Sequence, residues 1–308
     1  MIYHFIVNPN AGNGRGLKSW NKARKRLDKK GVSYDVYFTT GSGDASRKAA
    51  EFCGPEAERS CIVAVGGDGT ASEVLEGINF ASGTVMGYIP AGSGNDLARS
   101  LSLESNVNRR LDEILDESRI EYMDYGILSY SDSDVNRRFL VSSGAGYDAA
   151  VCHLLSRTGS KNLLNKFGIG NLAYMTGGVR EFIMTKPVSG YLLLDGVRRV
   201  EFNNILFVSC HIQPYEGGGF KFAPMADPRD GKLEVCVVTC SFKPALVPAL
   251  LRAKVKGLRS GGAVKSFRCR ELTAHFDRPL PIHTDGECIR AHKDIMVSCV
   301  GERLQFIR

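Results

Sequence analysis

Short apolar runs alternate with helical patterns through the first 120 or so residues, and Gly-rich turns separate them. This alternation constrains the fold more than any other feature. Residues 3–7, 33–38, 61–65 and 85–89 read as strands. Residues 17–30, 44–52, 71–80 and 111–115 read as helices, the first of them basic and ending at Gly31. Strand and helix in turn imply a parallel sheet covered on both faces.

From about Tyr122 the texture changes. Strand-like runs dominate at 139–143, 190–194, 204–209, 233–239, 271–276 and 295–300. Asp195-Gly196, Asp230-Gly231 and Asp285-Gly286 are turn signals between them. An antiparallel sandwich or barrel is expected, interrupted by helical insertions near 150–184 and 244–260. The chain of 308 residues suits two domains: an α/β domain over 1–122 and a β-rich domain over 123–301.

Net charge is +7, which favours an anionic partner without choosing one. No RRM, KH or helix-turn-helix pattern accompanies it, so nucleic acid is not expected. The nine cysteines have no metal-ligand spacing, and Cys61, Cys210, Cys236 and Cys299 sit in apolar runs, as in a reducing cytoplasm. The six histidines lack such spacing too and read as structural. The N-terminus enters a strand pattern directly, so no signal peptide is expected. No apolar run approaches the roughly 18 residues that span a bilayer. A cytoplasmic protein with at most peripheral membrane contact follows. The stretches 157–186 and 250–270 mix cations with apolar residues and could lie on an anionic bilayer or pack on the core.

Three Gly-rich turns follow strands in the first half: Asn8-Pro-Asn-Ala-Gly-Asn-Gly-Arg-Gly16, Gly66-Gly-Asp-Gly-Thr70 and Ala91-Gly-Ser-Gly-Asn-Asp96. Such turns lie where open α/β sheets bind ligands. Glycine lets backbone N–H groups approach phosphate oxygens. No Gly-Lys-Ser/Thr follows the first turn, so it is not a P-loop, and none fits G-x-G-x-x-G with its later acid. Asp68 among phosphate-binding amides would repel the ligand unless a cation lay between, which suggests Mg²⁺; a turn-capping role is the alternative.

These residues carry a resemblance. Gly66-Gly-Asp-Gly-Thr70 with Glu73, Asn8-Pro9…Gly12 before it and Gly92-Ser-Gly-Asn-Asp-Leu-Ala-Arg99 after it resemble the diacylglycerol kinase catalytic-domain family, and within it the soluble bacterial lipid kinases. The likeness continues through Gly144-Ala-Gly-Tyr-Asp148, Lys166-Phe-Gly-Ile-Gly-Asn-Leu-Ala-Tyr174, Gly217-Gly-Gly-Phe-Lys-Phe-Ala-Pro224, Ala226-Asp-Pro-Arg-Asp-Gly231 and Thr284-Asp-Gly-Glu287. It spans nearly the whole chain in the family's order.

The resemblance implies an ATP- and Mg²⁺-dependent lipid kinase, with diacylglycerol the foremost acceptor, a nucleotide domain joined by the last residues 302–308, and a lipid domain across a cleft. ATP would be lined by Asn8, Pro9, Asn10, Ala11, Gly12, Thr39, Gly66, Gly67, Gly69, Thr70, Glu73 and Ser93. Asp68 would act through Mg²⁺. Asp285 and Glu287 would stand at the lipid hydroxyl, Glu287 as general base. Asp230, helped by the carbonyls of Asp227 and Lys232, matches a second, structural Mg²⁺ site. Asn13 stands where the family often has Lys, and Arg15 is the candidate for that charge. Lys166 could neutralise phosphate or an anionic headgroup. A sphingoid-base or ceramide kinase is the nearest alternative. An NAD kinase would carry a later Thr-rich motif that is not found here, and Asp68 and Glu287 argue against a non-catalytic lipid or nucleotide sensor. A homodimer is compatible with the chain.

Overall fold

The computed structural model describes residues 1–54, 59–130, 133–150, 152, 184–242 and 246–308. It divides into two compact units, one of Met1–Tyr125 with Gly301–Arg308, the other of Gly126–Val300. Lys166 and most of the expected insertion at 150–184 lie outside the described residues.

The first unit is a parallel sheet in the order β4-β3-β1-β2, built from β1 (Ile2–Val7), β2 (Tyr34–Phe38), β3 (Ser60–Gly66) and β4 (Val85–Pro90). β13 (Glu287–Ile307) adds its end beside β4, pairing Gln305 with Val85 and Phe306 with Met86. β3 is buried along its whole length, as a strand covered on both faces must be. On one face α1 (Ala11–Lys30) and α5 (Val107–Ile114) bring Trp20, Ala23, Leu27, Leu111 and Ile114 onto Phe5, Val7, Val63 and Val65. α2 (Asp44–Phe52) and α3 (Asp68–Gly77) pack on each other and on β3. Arg110, fully buried, donates to the carbonyls of Tyr88 and Ile307 and so fastens β13's end to this unit.

Two local differences from expectation have simple causes. α1 reaches back to Ala11, but Gly12, Asn13 and Gly14 are left-handed, so regular helix begins only after them. α4 (Asp96–Ser100) is a one-turn helix too short to show a period in sequence.

The second unit is antiparallel. Its sheet runs β11-β10-β9-β7-β12-β13, and β8 pairs with both β12 and β9. The strands are β7 (Ser142–Gly146), β8 (Val188–Leu194), β9 (Arg198–His211), β10 (Leu233–Thr239), β11 (Val264–Cys269) and β12 (Glu271–Thr284). β5 (Ile120–Tyr130) and β6 (Ser133–Phe139) form a hairpin. Period-two alternation sends Val208, Cys210, Val235 and Val237 into one core, and Phe207, Cys236 and Val238 into another. The second core is closed by α6 (Val247–Val255) and the segment after it, through Ala253 and Leu258. The core-packing reading of 250–270 therefore holds for those residues, while Lys254 and Val255 stay exposed. The strand expected at 139–143 is broken between β6 and β7, because the N–H groups of Leu140 and Val141 turn to a side chain, Asp285. No helix among the described residues is long and apolar enough to cross a membrane.

Candidate active site

Because β1, β3 and β4 are parallel neighbours, the turns that follow them share one edge of the sheet. They are knitted together there. The Ala91 N–H donates to the Gly66 carbonyl at 2.6 Å, and the Asn8 N–H to that of Val65 at 2.9 Å. The Asn8 amide donates to Thr70 Oγ1 at 3.3 Å, while its Oδ1 accepts the Asn10 N–H at 3.1 Å. Arg15 donates to the carbonyls of Gly12 at 3.0 Å and Gly92 at 2.6 Å, so its guanidinium joins the first turn to the third. Gly67 and Gly92 touch backbone to backbone: a Cβ on Gly92 would lie 2.4 Å from Gly67 Cα, which no side chain survives.

Asp68 opens α3, and its carboxylate accepts the N–H groups of Asp96 at 3.0 Å and Leu97 at 3.2 Å. It thereby satisfies the first donors of α4, which a helix start leaves unpaired. Asp96 is itself nearly buried and pairs with Arg99. The buried Tyr88 hydroxyl reaches Asn95 Oδ1 at 3.4 Å. Burial holds its pKa well above the usual value, and the nearby Asp68 and Asp96 push the same way. Carboxylate oxygens are the donors Mg²⁺ takes, so Asp68 has the chemistry for that ion, while the Asp96 carboxylate is engaged by Arg99.

The other expected residues continue these turns or lie on neighbouring elements. Ser93 is exposed beside Gly92, and Gly69 lies in the first turn of α3. Pro9 and Ala11 lead into α1. Thr39 follows β2 with its N–H on the Val7 carbonyl at 2.9 Å. Glu73 accepts from the Ser42 hydroxyl and the Ala45 N–H, so it ties α3 to the start of α2.

In the second unit, Asp285-Gly286 is the two-residue turn between β12 and β13, flanked by the pair Thr284 and Glu287. Both turn residues have positive φ, +46° and +80°, as a type I′ hairpin requires. Asp285 thus lies in the turn and Glu287 at the start of β13. Asp285 is held by three backbone donors, Leu140 and Val141 at 2.8 Å and Ser142 at 3.0 Å. Glu287 is half-buried at the head of β13.

Behind this turn lies a buried charged cluster. His283 Nε2 is 3.0 Å from Glu216 and 3.3 Å from Asp148, and His211 Nε2 is 3.5 Å from Glu216 and 2.8 Å from Ser209 Oγ. Burial pushes the Asp148 carboxyl up, and burial lowers the His211 imidazole. The histidines read as merely structural thus include two in this network. Asp148 stood in a quoted motif without a role, as did Asp96. Glu216 and His283 gave no signal, since their proximity depends on strand pairing.

Asp230 does not present a vacant carboxylate. Its oxygens take the Arg268 guanidinium and, at 2.9 Å, the Lys232 N–H. Asp227 accepts the Arg229 N–H at 3.1 Å, and its carbonyl takes the Asp230 N–H at 3.4 Å. The Arg268 guanidinium thus balances the Asp230 charge in this arrangement.

Two family models decide what the chain is related to. The diacylglycerol kinase catalytic domain matches residues 3–126, and the YegS C-terminal NAD kinase beta sandwich-like domain matches 141–308. The chain belongs to the diacylglycerol kinase catalytic-domain family. Within this lipid kinase family it is 26% identical to a diacylglycerol kinase of Mycobacterium tuberculosis H37Rv, covering 98% of this chain and 94% of that protein. It is 25% identical to a diacylglycerol kinase of Bacillus subtilis, covering 92% and 88%. A solved diacylglycerol kinase structure from Bacillus anthracis shares the fold at a TM-score of 0.71 and 18% identity, covering 99% of this chain and 96% of that one.

Proposed function

We propose that this lipid kinase transfers the γ-phosphoryl group of ATP to a lipid hydroxyl, with diacylglycerol as acceptor and phosphatidic acid as product. The observation that carries the reading is the knitted set of three turns, in which Asn8, Thr70, Gly67, Gly92 and Arg15 meet at one sheet edge. Backbone amides at such an edge suit a polyphosphate.

Asp68 would hold Mg²⁺, which when bound spreads the charge of the transferring phosphoryl group. Arg15 adds a fixed cation at the first turn. Glu287 accepts the proton of the lipid hydroxyl, whose pKa lies far above neutrality. Asp285 fixes the turn that presents Glu287. Peripheral contact with a lipid surface is part of the proposal, and the exposed Lys254, Val255 and Lys256 beside α6 suit it.

The test is incubation with radiolabelled ATP and a lipid panel, followed by mass spectrometry of the products. Label in diacylglycerol is expected. Label in a sphingoid base or ceramide would move the acceptor, and label in NAD with none in any lipid would overturn the reading.

A further inference from the structure

The cluster of Asp148, Glu216 and His283 has the donor set of a divalent metal site, the three ligand atoms lying within 4.8 Å of one another. One bond argues against that use. The Gly286 N–H donates to His283 Nδ1 at 3.3 Å. A ring that accepts at Nδ1 carries its proton on Nε2, the atom that faces both carboxylates. A metal-bound imidazole instead donates from its second nitrogen. Burial lowers the His283 pKa, while the nearby Cys152, Glu216 and Asp148 hold it well above the usual value. The Gly286 N–H aimed at Nδ1 suits only a ring that carries one proton, on Nε2. His283 therefore donates to Glu216 and Asp148 and accepts from the turn between Thr284 and Glu287.

We propose that His283 is a positioning residue for the acceptor-side turn, with Asp148 and Glu216 orienting its ring so that Nδ1 captures Gly286. The consequence for turnover rests on Glu287 being the base. Three further features support the brace. The groups in reach of the ring, Asp148 and Glu216, come from two separate stretches of chain, so its orientation is fixed from two sides. The Ser143 hydroxyl holds the His283 carbonyl at 2.9 Å, which fixes the backbone of the same residue. Gly144 makes the room: a Cβ there would lie 2.1 Å from Asp148 Oδ2 and 2.8 Å from His283 Nε2. Asp285 anchors the turn on one side and His283 on the other, leaving Glu287 at the head of β13 with its backbone fixed.

The test compares His283→Asn with His283→Gln in the full chain. An Asn oxygen can stand near the Nδ1 position and accept from Gly286, whereas Gln reaches only the Nε2 position. His283→Asn is expected to keep most of kcat, and His283→Gln to lose about 100-fold with KM for ATP unchanged, as misplacement of a reacting group does. Two readouts do not need activity. The ¹⁵N signal of His283 Nδ1 should be that of an unprotonated ring nitrogen, and Gly286 amide exchange should be slow in wild type and His283→Asn but fast in His283→Gln. Equal Gly286 exchange in wild type and His283→Gln, equal loss of kcat in both variants, or one equivalent of a transition metal retained by wild type and lost from His283→Gln would each overturn the proposal. Full turnover in Glu287→Gln would sink the base assignment alone, and Gly286 exchange would still decide the brace.

Discussion

The carboxylate of Asp68 lies 3.0 Å from the backbone nitrogen of Asp96, so an acid in the second Gly-rich turn caps the helix that follows the third. One side chain therefore serves both the shape of the site and its charge. Asp68→Ala is expected to abolish turnover and also to lower stability by about 1 kcal/mol, the usual cost of a lost cap. Asp68→Asn keeps an oxygen for one N–H, so it should recover most of the stability and none of the activity. Thermal unfolding beside a kinase assay separates the two effects.

Asp285 gives a second prediction. Three backbone N–H groups end on its carboxylate, and its φ is +46°. Asp285→Ala orphans those donors and strains the turn, and should cost on the order of 3 kcal/mol. Asp285→Asn tolerates the left-handed backbone and keeps an acceptor, so a loss nearer 1 kcal/mol is expected by urea denaturation.

Glu234 makes stability depend on pH. Burial raises its pKa from 4.5 to about 6; Arg268 opposes this and Asp230 adds to it. Between those values the folded chain holds a proton that the unfolded chain has released. Its contribution to stability is therefore greatest below pH 4.5 and falls as pH rises through 6. Glu234→Gln should gain on the order of 1 kcal/mol at pH 7 and lose that part of the slope, read by denaturation at several pH values.

Gly144→Ala tests the crowding in the second unit. Its Cβ would displace the Asp148 carboxyl from His283, so a loss of about 2 kcal/mol is expected. Unchanged unfolding temperature in Gly144→Ala would mean that the cluster yields without cost.

Much of the fold is legible in the sequence, because strand periods and Gly-rich turns are local. Cys61 to Val65 announced a buried strand, and Asp285-Gly286 a hairpin. What stayed hidden was set by pairing across the chain. His283 meets Asp148 over 135 positions, through β12 lying beside β7. Arg268 reaches Asp230 because β11 pairs with β10, and no spacing rule marks a guanidinium that takes a carboxylate expected to hold a metal. The break at Leu140 and Val141 had the same origin, since only the folded turn brings Asp285 to those amides.

The central claim is that this chain phosphorylates a lipid hydroxyl through Asp68 and Glu287. Its most direct test is mass spectrometry of a total lipid extract incubated with ATP, Mg²⁺ and either wild-type protein, Asp68→Ala or Glu287→Gln. A new phosphorylated lipid with wild type, phosphatidic acid first among them, and none with either variant is the expected result. No phosphorylated lipid with wild type, or the same yield from both variants, would contradict it.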